Sequence, residues 1–101
     1  MIKYEFYIGC NDKDSKQDNS DVIIERVKLF FLNKFGFYTM SILEGAYTHK
    51  DNTVVTEKTC KIELILNENL YDIELICATL KELCNQESIL ATGTEVYGGL
   101  Y

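Results

Sequence analysis

Residues 37–66, FYTMSILEGAYTHKDNTVVTEKTCKIELIL, carry a pattern that is typical of one long β-hairpin. The polar residues 49–53 tolerate turn geometry and separate two arms. One face of the second arm holds Val54, Thr56, Cys60, Ile62, Leu64 and Leu66, and the other holds Val55, Glu57, Thr59, Lys61, Glu63 and Ile65. This period of two predicts a sheet with one buried face and one solvent-exposed face.

Two positions interrupt the alternation of the hairpin. In the first arm, residues 37–47, Leu43 is apolar at a position where the alternation calls for a polar residue, and Gly45 follows two residues later. Because glycine in a strand often marks an irregularity, this pair predicts a bulge or a tight bend. In the second arm, Lys58 falls on the nominally buried side. It lies either at the frayed end of the strand or beside a shift in register near Thr56.

The chain before the hairpin predicts a strand and a helix. Residues 2–10 alternate like a strand, and a polar loop follows them. Ser20 or Asp21 can cap the first helix, and Gly36 stands where a left-handed residue ends it. The apolar stripe of this helix is Ile23, Ile24, Val27, Phe30, Phe31 and Phe35.

The chain after the hairpin predicts a second helix and a last strand region. Asn67 or Asn69 opens this helix, whose apolar stripe at helical spacing is Ile73, Ile76, Cys77, Leu80, Leu83 and Cys84. Residues 88–101 give one strand interrupted near Gly93, or two short strands.

The order strand, helix, strand, strand, helix, strand predicts the fold class. Right-handed crossovers and one hairpin arrange it most simply as an α+β, ferredoxin-like βαββαβ fold, an antiparallel sheet with two helices on one face. The first and third strands are expected to be central. A length of 101 residues predicts a single domain, residues 1–101.

Composition restricts the class of partner and the compartment. Ten basic and sixteen acidic residues give a net charge of −6, which disfavours direct binding to nucleic-acid phosphates and suits a basic protein partner. No apolar run is long enough for a membrane span, and the N-terminus lacks the apolar region of a signal peptide. We therefore expect a cytoplasmic protein that does not bind membranes.

No motif predicts a metal, a cofactor or a reaction centre. The four cysteines have spacings that favour small core residues of a reduced protein. The loop Asp12-x-Asp14-x-Lys16-x-Asp18 lacks the glycine and the bidentate glutamate of a calcium loop, so a solvated loop is expected. His49, the only histidine, lies at the hairpin turn and has no evident partner for nucleophilic catalysis.

The open face of the predicted sheet is the candidate binding surface. Alternation places on it Glu5, Tyr7, Val55, Glu57, Thr59, Lys61, Glu63, Ile65, Tyr97 and Tyr101. In RNA-binding modules of this topology, aromatic residues stack bases and basic residues hold phosphates, but here glutamates outnumber lysine. Tyrosines with an apolar centre suit a protein partner better.

Several short motifs resemble those of a domain-of-unknown-function family of short bacterial proteins. They are Tyr7-Ile8-Gly9, Gly36-Phe37-Tyr38-Thr39, Glu44-Gly45-Ala46-Tyr47, Val55-Thr56-Glu57 and Gln86-Glu87-Ser88-Ile89-Leu90. That family has no established activity, so the resemblance supports only the fold. In size and charge, the chain is also similar to inhibitors of the anti-CRISPR type carried by phages and mobile elements, many of which cover a basic nucleic-acid channel of a host nuclease.

Two functional hypotheses follow. The first is a non-catalytic, acidic protein-binding module of the anti-CRISPR type that covers a basic surface of a host defence protein. Its contact residues would be Glu5, Tyr7, Glu57, Lys61, Glu63, Tyr97 and Tyr101, with Asp12, Asp14 and Asp18 assisting. The alternative is a dimeric α/β-barrel that binds or transforms a small molecule between its sheet and helices. The groups most able to line that pocket would be Tyr4, Tyr38, Tyr47 and His49. A homodimer is also expected if two sheets pack face to face.

Overall fold

The computed structural model describes residues 1–101 and has the predicted element order. The elements are β1 (Ile2–Gly9), α1 (Ser20–Phe35), β2 (Thr39–Thr48), β3 (Val54–Leu66), α2 (Ile73–Cys84) and β4 (Leu90–Glu95). The strands form one antiparallel sheet in the order β2-β3-β1-β4. The first and third strands are therefore central, and the ferredoxin-like α+β prediction is confirmed.

One apolar layer lies between the sheet and the two helices. Alternate residues of β1 and β3 that face the helices are fully or almost fully buried, together with the predicted stripes of α1 and α2. Phe31 of α1 lies at its centre, with ring centroids 5.2 Å from Phe6 and Phe30 and 5.9 Å from Phe35. Because α1 is rich in β-branched and aromatic residues, this packing rather than helix propensity holds it.

The starts of both helices differ from the predictions, whereas the end of α1 agrees with its prediction. α1 begins at Ser20, but neither Ser20 nor Asp21 caps it; Asp18 accepts hydrogen bonds from the backbone N–H and the hydroxyl of Ser20 instead. α2 begins only at Ile73, because residues after β3 form a turn rather than an early helical start at Asn67 or Asn69. Gly36 does end α1 in the left-handed region, with φ 83°, as predicted.

The hairpin runs without the predicted irregularities. The β2–β3 register is continuous from Thr39↔Glu63 to Thr48↔Val54, so there is no bulge near Leu43 and no shift beside Lys58. Lys58 lies within the strand and is exposed, because the helices cover the sheet only as far as Cys60. The turn half of the hairpin projects beyond the core, and the molecule measures 47 × 25 × 24 Å.

The last segment forms one short strand rather than an interrupted one. β4 continues through Gly93, where an added Cβ would lie 3.2 Å from the ring of buried Tyr4. Tyr97 and Tyr101 lie beyond the end of β4 and are fully exposed. Their predicted place on the open sheet face is therefore wrong, because the strand ends at Glu95 before it reaches them.

The cysteines are free and belong to the core layer. Cys10, Cys60 and Cys84 are buried, and Cys77 is half-buried against them. Burial raises the pKa of Cys60 to about 12 and the pKa values of Cys10 and Cys84 to about 11. Their thiolate forms are therefore scarce at neutral pH, in agreement with the prediction of small core residues. None of the helices has the length and apolar character needed to cross a membrane.

Candidate ligand-binding cleft on the open face of the sheet

A cleft of about 470 Å³ lies on the open face of the sheet, at the end where β1 finishes. We call it the open-face cleft. Its floor and the adjoining hairpin contribute Tyr7, Gly9, Tyr47, Val55, Glu57, Thr59 and Leu90, and its walls contribute Asn11, Asp12, Lys13, Lys16, His49, Gln86, Glu87 and Ser88. Its volume falls in the range of small-molecule sites.

Hydrogen bonds between two distant segments hold the walls in place. The Asn85 side-chain amide donates to Asp12 Oδ1 at 2.7 Å, and the Gln86 amide donates to the Asn11 carbonyl oxygen at 2.8 Å. Asn85 reaches this position because it ends α2 in the left-handed region, with φ 50°. The hydrogen bond from the Asn85 amide is the largest of the causes that lower the pKa of Asp12 to about 2. The Asp12 carboxylate is therefore already engaged in hydrogen bonds within the wall.

Glu57 is the carboxylate that the cleft floor leaves most available. It accepts one hydrogen bond, from the Asn11 backbone N–H to Oε2 at 3.1 Å, and it forms no ion pair. Two glycines flank it: Gly45 is its partner on β2, and its carboxyl group lies over Gly9 of β1. A half-buried carboxylate with a free oxygen favours a cationic ligand.

A second polar cluster fixes Tyr7 at the edge of the same cleft. The Tyr7 hydroxyl donates to Glu5 Oε2 at 2.7 Å, and Lys61 Nζ contacts the same oxygen at 2.9 Å. The hydrogen bond from Lys61, followed by that from Tyr7, lowers the pKa of Glu5 to about 2, and the bond to Glu5 raises the pKa of Tyr7. The Tyr7 ring, which lines the cleft, is thereby held with its hydroxyl occupied, and Lys61 Nζ lies 5.7 Å from the centroid of this ring.

Removing the lysine of this cluster is expected to raise the pKa of Glu5. In Lys61→Met, we expect the pKa of Glu5 to rise from about 2 toward its ordinary value of 4.5, because the largest stabilising contact is lost. Carbon-detected NMR titration of the Glu5 carboxyl measures it. Lys3→Met is the matched control, because Lys3 Nζ lies 3.6 Å from Glu5 Oε1 and is the smallest cause of the shift.

The same cluster gives the fold a defined acid sensitivity. A folded pKa below the unfolded value means that the Glu5 contacts stabilise the fold above about pH 4.5 and lose this effect as the pH falls toward 2. We expect Lys61→Met to be less stable than wild type at neutral pH and to lose less stability between pH 4.5 and 2. An unchanged Glu5 pKa in the variant would contradict the assignment.

The structure separates the predicted contact residues into two groups. Glu5, Tyr7, Glu57, Lys61 and Glu63 share the open face, as the alternation predicts, and the first four form the two clusters described above. Of the other predicted residues, Asp12 lies in the wall of the same cleft and shares the Asn85 amide with Asp14. Asp18 lies at the start of α1, and Tyr97 and Tyr101 lie in the C-terminal tail. The predicted residues therefore do not form one continuous surface.

The sequence predicts a small-molecule pocket between the sheet and the helices, and this location is wrong. That space is filled by the core, where Tyr4 is buried and its hydroxyl oxygen accepts a hydrogen bond from the Leu70 N–H at 2.8 Å. Tyr38 also packs against the core, whereas Tyr47 and His49 do line the open-face cleft, with ring centroids 5.1 Å apart. One chain forms an open four-stranded sheet with β2 and β4 as its edges, so the predicted barrel, which needs the sheets of two chains, stays a prediction.

Sequence reasoning missed Gly9, Asn11 and Gln86 as residues of the site. Gly9 and Gln86 belong to the short motifs on which the predicted family resemblance is based, and those motifs also supply Tyr7, Tyr47 and Glu57 to the cleft. These motifs meet at one end of the sheet, and this grouping was the signal that could have identified the missed residues of the site. No group of three or more His, Cys, Asp or Glu side chains is placed to hold a metal ion.

Comparison with known proteins gives similarity at the level of structure. No family model and no curated protein matches the chain. The fold is similar to a solved structure of a phage SAM lyase in complex with S-methyl-5′-thioadenosine, with a TM-score of 0.65 and 21% identity over 93% of this chain and 80% of that chain. It is also similar to the phage SAM lyase in the apo state, with a TM-score of 0.58 and 20% identity over 92% and 78% of the two chains.

These similarities correct the functional prediction. The hypothesis of a non-catalytic inhibitor of the anti-CRISPR type, and with it the expectation that the chain is not an enzyme, is contradicted because both of these similar structures are those of an enzyme, one of them with a small-molecule ligand. The alternative, a protein that binds or transforms a small molecule, agrees better with them. The predicted homodimer and basic protein partner stay predictions.

Proposed function

We propose that this protein is an enzyme that binds S-adenosylmethionine (SAM) in the open-face cleft and breaks a carbon–sulfur bond to release S-methyl-5′-thioadenosine. The observation that carries the proposal is the similarity, over 93% of the chain, to a phage SAM lyase that holds this thioether. The cleft supports it independently, since its size, aromatic lining and available carboxylate suit a cationic nucleoside.

The ligand chemistry matches the groups on the cleft floor. SAM combines an adenine ring, a positively charged sulfonium and an amino acid carrying an ammonium and a carboxylate. Tyr7 and Tyr47 offer aromatic faces for the base, and such stacking contributes about 1–3 kcal/mol. Glu57 offers a negative charge to the sulfonium or ammonium, and Lys13 and Lys16 in the wall offer positive charge to the carboxylate.

The reaction balances without water or a cofactor. The bond between the sulfur and the Cγ carbon of the amino acid breaks, and its electron pair goes to sulfur, which becomes the neutral thioether. The four-carbon fragment then has two routes. Its own carboxylate oxygen forms the new bond to Cγ and closes a lactone, or the Cβ proton passes to a base in the buffer while the electron pair of the Cβ–H bond forms the Cβ=Cγ double bond of an alkene. Neither route uses a second substrate, so the cleft contributes mainly by fixing the conformation of SAM.

The experiment that tests the proposal is incubation of the protein with SAM in ¹⁸O-labelled water, followed by chromatography and mass spectrometry. We expect S-methyl-5′-thioadenosine to form well above a no-protein control, and the γ-oxygen of any homoserine to be unlabelled. Label at that oxygen would indicate hydrolysis by water instead of a lyase reaction. Formation of the thioether only at the no-protein rate would contradict the proposed activity.

A further inference from the structure

The Glu57 carboxyl group occupies the space where a side chain at residue 9 would lie. An ideal Cβ built on Gly9 would lie 2.7 Å from Glu57 Oε1 and 2.9 Å from both Cδ and Oε2. Gly9 has no positive φ, and it pairs regularly with Thr59. Its backbone conformation is therefore open to L-residues, and the three atoms nearest to that Cβ all belong to the Glu57 carboxyl group.

The second oxygen of this carboxylate is fixed from another direction. The Asn11 backbone N–H, two residues after Gly9, donates to Glu57 Oε2 at 3.1 Å. The Asn11 side-chain amide also donates to the Thr56 carbonyl oxygen at 3.3 Å, and the Gln86 amide holds the Asn11 carbonyl oxygen at 2.8 Å. The segment that carries Gly9 and Asn11 is thus anchored to both β3 and the wall after α2.

We infer that Gly9 is a positioning residue, which sets where the Glu57 carboxylate stands in the open-face cleft and thereby sets the preference of the cleft for a cationic ligand. Because Gly9 has no side chain, the Glu57 carboxyl group can lie directly over it. The Asn11 N–H binds Glu57 Oε2, and Glu57 Oε1 has no hydrogen bond from the protein. This inference rests on the proposed function for its ligand, SAM, but its structural part is measurable without any ligand.

The decisive variant is Gly9→Ala. The clashing atoms belong to the end of a flexible side chain, so the carboxylate moves aside and the fold is retained. We expect thermal stability close to that of wild type, a KM for SAM raised about 10-fold, which is the scale of one charge-assisted contact, and a much smaller change in kcat. Binding of the uncharged S-methyl-5′-thioadenosine is expected to change little.

Two controls separate positioning from a merely structural effect. Gly45→Ala places a Cβ on the other side of Glu57, where no atom lies closer than 3.9 Å, and is expected to match wild type. In a Glu57→Ala background, adding Gly9→Ala is expected to have no further effect on KM, because the group it displaces is already absent. Additive effects of Gly9→Ala and Glu57→Ala, or equal effects of the two glycine variants, would overturn the inference.

A measurement without ligand distinguishes a failure of the positioning role of Gly9 from a failure of the proposed activity. In Gly9→Ala, loss of the hydrogen bond to Glu57 is expected to shift the Asn11 amide proton upfield and to speed its exchange, whereas Gly45→Ala leaves it unchanged. If the Asn11 amide responds in this way but SAM is not consumed by wild type, the positioning stands and the proposed activity fails. If SAM is consumed and the Asn11 amide is unchanged in Gly9→Ala, the positioning fails and the activity stands.

Discussion

Replacing Glu57 with glutamine is expected to lower kcat/KM for SAM by about 10- to 100-fold, the scale on which a hydrogen bond or contact to a charged group contributes to binding. The amide keeps the shape of the side chain but removes the negative charge that faces the cleft. The Asn11 N–H still has an oxygen to bind. Because the ligand loses an ionic contact rather than a packing contact, the effect is expected mainly in KM. Steady-state kinetics by chromatographic detection of S-methyl-5′-thioadenosine measure it.

The matched control for this prediction is Glu63→Gln. Glu63 lies on the same face of the same strand, opposite Glu5, but does not line the open-face cleft. The Glu63→Gln substitution removes the same charge from the surface as Glu57→Gln. Any decrease in kcat/KM that comes only from the lower net negative charge therefore appears in both variants. Equal kinetics for the two variants would contradict the role of Glu57, as would a Glu57→Gln enzyme with wild-type kcat/KM.

Truncating Phe31 to alanine is expected to destabilise the fold by about 3–5 kcal/mol. Phe31 is 0% exposed and contacts Phe6, Phe30 and Phe35, so its removal leaves a cavity between β1 and α1. A small domain has few other contacts to compensate, and we expect Tm to fall by roughly 15 °C or more. Chemical denaturation followed by circular dichroism gives the free energy of unfolding.

Leu29→Ala is the control for the core. Leu29 lies on the same helix but is 58% exposed, so its truncation is expected to change the free energy of unfolding by no more than about 0.5 kcal/mol. A similar loss in both variants would contradict the assignment of Phe31 to the core, because alanine has a higher helix propensity than either residue and only lost packing can destabilise the fold. A Phe31→Ala protein as stable as wild type would contradict the described core.

The fold was predictable because each element carries a signal that is local in the sequence. Alternation in residues 54–66 gives β3 and its two faces, and the stripe through Ile76 and Leu80 gives α2. The errors concern places where tertiary contacts decide. Lys58 keeps the parity of a buried residue and is nevertheless exposed, because the helices do not extend over that half of the hairpin. Tyr97 continues the parity of Ala91 and Gly93, which pair with core-facing Phe6 and Tyr4, and β4 ends before it.

The candidate site was predictable only in part, because it depends on contacts between distant segments. Alternation correctly places Tyr7 and Glu57 on one face of the sheet. It does not show that Gln86 donates to the Asn11 carbonyl oxygen, 75 residues away, or that the two loops so joined turn that face into a cleft. A tyrosine and glutamate face therefore predicts a flat protein-binding surface, whereas the walls make it concave and suited to a small molecule.

The most direct test of this account is a titration of the ¹⁵N-labelled protein with S-methyl-5′-thioadenosine, followed by amide chemical-shift mapping. We predict saturable shifts at Tyr7, Asn11 and Gln86, which surround the open-face cleft, and no shifts in the exposed residues of α1 such as Leu29. The absence of saturable shifts at millimolar ligand, or shifts confined to the helical side of the molecule, would contradict the assignment of the open-face cleft as the binding site.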